Sequence, residues 1–511
     1  MTSLAVADPG ALIQSVDWVA IAPPLIAALA ALGVLVTDLF LPQRGKKLLG
    51  WLSVTGLALA LIALLPLTGG SPRVTFCVQN VTAGADNAGC SYVADHFALV
   101  FQLLALGGAL IAALLSVHTV DEEKLPGGEY WFLLLSSATG AALLPASRDL
   151  ATLVIALEVA SLPAFALVAL RRDGRGAEAA LKFFLSSVTA TAVMLLGVGF
   201  VYAATGTLHL AAIADGLAHA PGQLRPLAEA GAVLTLVGFA FKVAAVPFHF
   251  WVPDTYIGAP VPVAGYLSVV GKAVGLAGLA LVTSIAFRPY GHTWGLTLAV
   301  LAAVTMTVGN VGALRQRADT AHSAVRLMAW SSIGQAGYLL VPIAAAGYGR
   351  GQNPLGATAA YALIYGVVNL GAFGVVAAVS RTDGTRLEDY RGLFARRRWT
   401  ALALAFFLLC LAGLPPGVVG LFGKVVVFRA AVDAGLGWLA VVMAVNVVIA
   451  LYYYLVWTAK LFAPAPEGAP QAAGRGMPAP LAATLGLTAS AAVVLSLAPQ
   501  LVLQVVGGSL F

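Results

Sequence analysis

Residues 238–260 read GFAFKVAAVPFHFWVPDTYIGAP. The stretch is apolar enough for lipid, yet it holds Lys242, Pro247, His249 and Pro253. A membrane helix with a charge and a break within two turns needs a reason for both, because each is costly in hydrocarbon. What surrounds the stretch decides whether it is a membrane helix at all.

The chain of 511 residues is 60% hydrophobic and only 10% charged, with a mean hydropathy of +0.92. A soluble domain of this length needs more charge to solvate its surface, so this is a polytopic membrane protein. The formal charge of +6 does not indicate nucleic acid. The lysines and arginines stand singly or in short groups between apolar runs, as topology signals do. No nucleotide-binding loop is present, and the 55 glycines are scattered through helical runs, where small residues allow close packing. The three cysteines show no CxxC or Cys/His spacing for a metal or iron–sulfur cluster. Cys77 and Cys90 share one polar loop and could pair if that loop lies outside the cell. The N-terminal stretch MTSLAVADPGALIQSVDW lacks a basic region before its first apolar run, which argues against a cleaved signal peptide.

A bilayer crossing takes about 20 apolar residues. Cutting the chain at its charges leaves runs at 18–37, 48–72, 97–120, 130–147, 150–170, 183–214, 230–253, 255–287, 289–314, 327–349, 351–380, 399–428, 434–459 and 476–511. Fourteen helices is the simplest reading. The odd-numbered loops then hold nineteen lysines and arginines and the even-numbered loops six; the remaining three are lysines inside the runs. A miscounted helix would scramble that alternation. The bias makes the odd loops cytoplasmic and both termini extracytoplasmic.

Four runs qualify only if one internal charge is tolerated: Glu158, Lys242, Lys272 and Lys424. Each costs about 2.5–3.5 kcal/mol at the bilayer centre. A buried Glu–Lys pair with snorkelling lysines is the structural alternative, but one acid cannot neutralise three lysines. A set of groups that gain and lose protons accounts for all four. The proline of KVAAVPFHF then has a reason, since a broken membrane helix is tolerated where it lines protein or a wet cavity. His249, two turns past Lys242, can relay a proton through either ring nitrogen; it could instead bond the freed carbonyls. The segment 410–424, CLAGLPPGVVGLFGK, repeats the theme with Pro415, Pro416 and a lysine. Two broken helices, five runs apart, point to an internal repeat with a site at the membrane midplane.

The phrases GEYWFLLLSSATG, LEVASLPAFALVAL, GAEAALKFF, FKVAAVPFHFWVPDTYIGAPVPVAGYLS, RLMAWSSIGQAGYLL and LAGLPPGVVGLFGK occur in that order. In this the chain resembles the antiporter-like membrane subunits of proton-pumping NADH–quinone oxidoreductase, respiratory complex I, over roughly residues 90–460. The resemblance implies an all-α polytopic fold of about 14 helices containing two inverted five-helix repeats, each with a broken helix. Residues 1–129 would hold the first three helices and an extracytoplasmic loop at 68–96. The repeats would span 130–287 and 288–459, and 460–511 would hold the last helix.

Among the family's branches the N-type fits. Lys424 stands where M-type chains carry glutamate, and no long lateral helix follows the last run, as one does in L-type chains. Carried over residue by residue, Glu158 and Lys242 form a switchable pair, Lys272 is the central relay and Lys424 the outward-side lysine, with His249 between them. There are departures: Cys410 replaces serine, Gln335 replaces a frequent histidine, and three residues, Gly417, Val418 and Val419, follow the double proline where the pattern has two. One extra residue turns a regular helix by about 100°, so the facing of Lys424 becomes a question for the structure.

The implied function is proton translocation in a bacterial cell membrane, driven by quinone reduction in partner subunits. NADH, FMN, iron–sulfur clusters and quinone would belong to those partners, and none to this chain. The Ala/Gly/Arg-rich usage points to a high-GC bacterium, in which menaquinone is the expected quinone. A subunit of a multisubunit sodium/proton antiporter or of a membrane-bound hydrogenase would carry the same lysines and breaks. A scaffold subunit with vestigial charges is the non-transport alternative.

Overall fold

The computed structural model describes residues 16–42, 45–77, 89–349, 353–382, 384–464 and 477–506. The N-terminal stretch 1–15, the centre of the 73–96 loop and most of the Pro/Gly-rich 463–480 link lie outside the described residues. The helices follow the apolar runs. The first three are α1 (Trp18–Phe40), α2 (Lys47–Ile62) and α3 (His96–Glu122). Then come α4 (Gly127–Leu143), α5 (Leu150–Ala169), α6 (Gly174–Thr205), a short α7 (Leu210–Ala218) and α8 (Arg225–Val243). Beyond the break lie α9 (Trp251–Gly258), α10 (Val261–Tyr266) and α11 (Lys272–Leu281). The second half comprises α12 (Gly291–Leu314), α13 (Ser323–Ala346), α14 (Pro354–Ser380), α15 (Leu393–Arg396), α16 (Arg398–Ala412), α17 (Val418–Asp433) and α18 (Gly437–Phe462), followed by α19 (Ala479–Leu497) and α20 (Gln500–Val505).

Among the described residues, 12 helical stretches are long and apolar enough to cross a bilayer. The two remaining runs are α4, which has 17 residues, and the broken pair α16–α17. Each of the fourteen runs thus contains a helix among the described residues. The run 183–214 is not a single helix: α6 starts earlier, at Gly174, and ends at Gly206 in a left-handed cap, and α7 follows separately.

Aspartates start several of these helices because a carboxylate satisfies first-turn N–H groups and the helix dipole. Asp95 accepts from the Ala98 amide at 2.9 Å and Asp149 from the Thr152 amide at 2.8 Å. The loop at 73–96 forms a hairpin of β1 (Arg73–Cys77) and β2 (Cys90–Ala94), an exception to an all-helical reading. Its antiparallel register sets Cys77 opposite Cys90, and the two form a disulfide. A buried Arg148–Asp95 ion pair fastens this region to the start of α5; Arg148 also donates to the Pro145 and Ser147 carbonyls.

The opposite face carries the odd-numbered loops and is laced by charge. Arg171 bonds Glu123 through two nitrogens at 2.7 Å, Arg381 bonds Glu122, and Lys460 meets Glu388 at 2.5 Å. Burial within the protein is uneven. Helices α10, α11, α13 and α14 are nearly enclosed, while α1, α2, α6 and α18 turn leucines, valines and tryptophans outwards to lipid or neighbouring chains.

Candidate functional site

Helix α8 runs unbroken to Val243 and ends with Ala244 in the left-handed region, so Lys242 lies in its last turn. Pro247 follows in the non-helical link, and Pro253 falls in the first turn of α9 rather than in the break. Close packing brings the next helix onto this end. A Cβ on Gly275 of α11 would lie 2.9 Å from the Lys242 carbonyl carbon, so only glycine lets the two backbones touch.

The Lys242 ammonium, 8% exposed, is held by three side chains. It donates to Ser161 Oγ and Ser187 Oγ at 2.9 Å each, and Glu158 Oε1 stands 3.4 Å away. Thr191 donates to the same carboxylate oxygen at 2.8 Å. The expected Glu158–Lys242 pair is therefore formed, across α5 and α8. The serines and the threonine come from α5 and α6, and sequence reasoning missed them. A serine in an apolar run looks the same whether it packs or binds.

Lys272 opens α11, 1% exposed, with no carboxylate among its described partners. Its ammonium donates to Ser332 Oγ at 2.9 Å and to the Ser332 carbonyl. A cavity of about 30 Å³ lies beside the first lysine, lined by Ser137, Ser161, Lys242, Tyr266 and Gly271, the residue before Lys272. A single water needs about 10–15 Å³, so the cavity can hold one beside these polar groups.

The second break frees carbonyls that Lys424 takes. Helix α16 ends at Ala412, with Pro415 and Pro416 in the link, and α17 begins at Val418. Lys424 donates to the Leu411 and Ala412 carbonyls at 2.9 and 2.7 Å, so a cation caps the negative end of α16. The extra residue has not turned Lys424 away: it is 3% exposed and its ammonium is 5.9 Å from the Tyr338 ring centre. A Cβ on Gly420 would fall 1.6 Å from the Cys410 carbonyl oxygen, so α17 crosses α16 at van der Waals contact.

Between Lys272 and Lys424 lies a polar chain on α13, α14 and α18. Ser331 and Tyr454 share a hydrogen bond of 2.5 Å, Gln335 donates to the Tyr454 hydroxyl at 3.4 Å, and Tyr361 donates to Gln335. The Tyr361 ring packs against Gly423, next to Lys424. Of this chain, sequence comparison had singled out only Gln335. His249 is half-buried against the Trp330 ring, 5.6 Å between centres, and its Nδ1 has no hydrogen-bond partner. No hydrogen bond between His249 and a lysine is found among the described residues.

On the basic face, a cavity of about 390 Å³ opens between the helix ends, lined by Glu122, Glu123, Arg171, His322, Arg381 and Tyr256. Its carboxylates are already paired with arginines. Burial, reinforced by the Arg175 and Arg171 charges, holds the His322 imidazole below its ordinary range. Tyr256 points on towards the Ser332 hydroxyl without closing a hydrogen bond.

A polytopic helical fold with two broken helices and a row of enclosed lysines defines a class, the antiporter-like membrane subunits. The family described as NADH:quinone oxidoreductase/Mrp antiporter, transmembrane, matches residues 147–450, and the chain belongs to it. The chain is 64% identical to NADH-quinone oxidoreductase subunit N 2 of Streptomyces griseus, over 99% of this chain and 96% of the relative. It is 34% identical to a chain of respiratory complex I from Thermus thermophilus, with a TM-score of 0.76, covering 95% of this chain and 100% of that one. A chain of the Mrp complex from Dietzia sp. shares the fold at a TM-score of 0.79 and 21% identity, over 95% of this chain and 96% of that one.

Proposed function

We propose that the chain is the N-type membrane subunit of an NADH–quinone oxidoreductase and moves protons through Glu158, Lys242, Lys272 and Lys424. The observation that carries this reading is the state of the three lysines. Each is enclosed, each has polar partners within hydrogen-bond reach, and among the described residues Lys242 alone has a carboxylate, Glu158, beside it. Four charges in hydrocarbon, at about 2.5–3.5 kcal/mol each, are a large penalty for a scaffold.

Protons would be taken up through the cavity beneath Arg171, His322 and Arg381. They would reach Lys272 by way of Tyr256 and Ser332, and exchange with Lys242 through a water in the small cavity. Glu158 sets how firmly Lys242 holds its proton, so a movement of α5 against α8 would change that hold. The Ser331–Tyr454–Gln335–Tyr361 chain leads on to Lys424 at the second break. Gln335 cannot itself carry a charge, so it orients the two tyrosines. His249 at the first break is a candidate link between the halves, which we take as 130–287 and 288–459, related as inverted repeats.

The redox groups would reside in partner subunits, menaquinone being the expected quinone. Neighbouring antiporter-like subunits and the lipid bilayer are the partners of its lateral faces. The basic bias of the odd loops supports a cytoplasmic position for the charged face and an extracytoplasmic one for both termini, in a bacterial cell membrane. The 64% identity to a subunit N favours this assembly over an antiporter complex. Purification from native membranes tests it: co-purification of NADH-oxidising subunits is expected, and co-purification of antiporter subunits alone would refute it.

A further inference from the structure

We propose that Tyr365 and Asn369 on α14 are positioning residues that aim the Lys272 ammonium at Ser332 by holding open a wide turn in the helix that carries it; the inference rests on the reading of Lys272 as a proton carrier.

Between α10 and α11 the helix widens into a π turn at Leu267–Gly271, immediately before Lys272. Such a turn carries one more residue than an α turn and exposes carbonyls to donors outside the helix; it is frequent at functional sites. Closing it would rotate all that follows by about 100°, since each residue advances an α-helix by that angle. The Lys272 side chain would then leave Ser332.

The bonds that hold the turn come from α14. The Tyr365 hydroxyl donates to the Ser268 carbonyl at 3.2 Å. Asn369 donates to Ser268 Oγ at 2.7 Å, and that hydroxyl donates to the Gly265 carbonyl at 2.7 Å. All these groups are buried. Helix α14 comes this near because Gly366 has no side chain: a Cβ there would lie 3.1 Å from Val269 Cγ1. Tyr365 and Asn369 touch no lysine in any described hydrogen bond, so proton transfer itself does not account for them. A polar pair placed only to join helices would gain no more by meeting the one widened turn ahead of a buried lysine than by meeting regular helix.

The test separates aim from transport. In a Lys272→Cys/Ser332→Cys background, a short bifunctional thiol reagent should join the two positions in the assembled complex. Adding Tyr365→Phe with Asn369→Leu should lower the yield at least threefold; Tyr365→Phe alone, which removes one hydroxyl, should lower it less. With Lys272 and Ser332 intact, the same pair of substitutions should shift the pH profile of proton transport at equal assembled amounts. An unchanged cross-link yield in either variant set overturns the proposal. A lowered yield with an unchanged transport profile leaves the positioning intact and refutes instead the role of Lys272 as a proton carrier.

Discussion

Replacing Glu158 by glutamine keeps the size of the side chain and removes the one carboxylate paired with Lys242 among the described residues. At the observed 3.4 Å, two unit charges attract by about 5 kcal/mol at an effective dielectric of 20. Glu158 keeps 22% of its side chain exposed, so screening by water that reaches it reduces this. Even half of it, about 2.5 kcal/mol, is nearly two powers of ten in an equilibrium constant. The two serine hydroxyls and the fold remain, so the complex should assemble. Proton transport should fall roughly 10- to 100-fold if a step that depends on the pair limits turnover, by the same arithmetic. Glu158→Asp sets the carboxylate about 1.5 Å farther off and retains about two thirds of the attraction. It should fall between the glutamine variant and the native protein. The assay is NADH oxidation and proton transport in membranes holding equal amounts of assembled complex. Native rates in Glu158→Gln would refute the reasoning, as would an aspartate variant no better than the glutamine one.

Gly420→Ala places a methyl group 1.6 Å from the Cys410 carbonyl oxygen, so α16 and α17 must part. Overpacking of this kind costs about 1–3 kcal/mol, and the displaced Leu411 and Ala412 carbonyls should reduce transport more than Gly437→Ala, a position with open space; equal transport in the two would contradict the account of the second break. Cys77 and Cys90 should react with a membrane-impermeant thiol reagent on intact cells only after reduction, and labelling that also requires permeabilised membranes would overturn the orientation. His322, held below its ordinary value in the fold, binds a proton more readily when unfolded; the stability it contributes is therefore present above about pH 6.5 and lost as pH falls below that value. Thermal unfolding of the solubilised complex between pH 5.5 and 7.5 should show that loss, and His322→Gln should show less of it; an identical slope in both would count against the buried neutral imidazole.

The helices were legible because hydrocarbon leaves the backbone few choices, so the fourteen apolar runs reappear as helical segments, twelve of them long and apolar enough to cross a bilayer among the described residues. The enclosed charges were legible for a related reason: nothing in a lipid-facing run explains Glu158 or Lys242. What surrounds them was not. Ser161, Ser187, Ser332 and Thr191 are ordinary small residues in sequence and acquire meaning only when α5, α6, α8 and α13 are packed. The π turn at Leu267–Gly271 leaves no mark, since LSVVG reads as plain helix. The β1–β2 hairpin hid in a polar loop read only for its cysteines. The facing of Lys424 depended on how an irregular segment absorbs one residue, which neither period nor composition expresses. His249 shows the opposite limit, since its place in a motif said nothing of the Trp330 ring it meets.

The central claim is that Lys242 takes up and releases a proton in each cycle. Lys242→Arg tests it most directly, because arginine keeps the positive charge beside Glu158 but does not deprotonate in proteins. Each proton moved outward against 100 mV costs about 2.3 kcal/mol, and a site that cannot let go of its proton stalls that work. The measurement is proton transport and NADH oxidation by assembled complex carrying Lys242→Arg. Severe loss of both is the result predicted; native rates would contradict a titrating lysine and leave only a fixed charge.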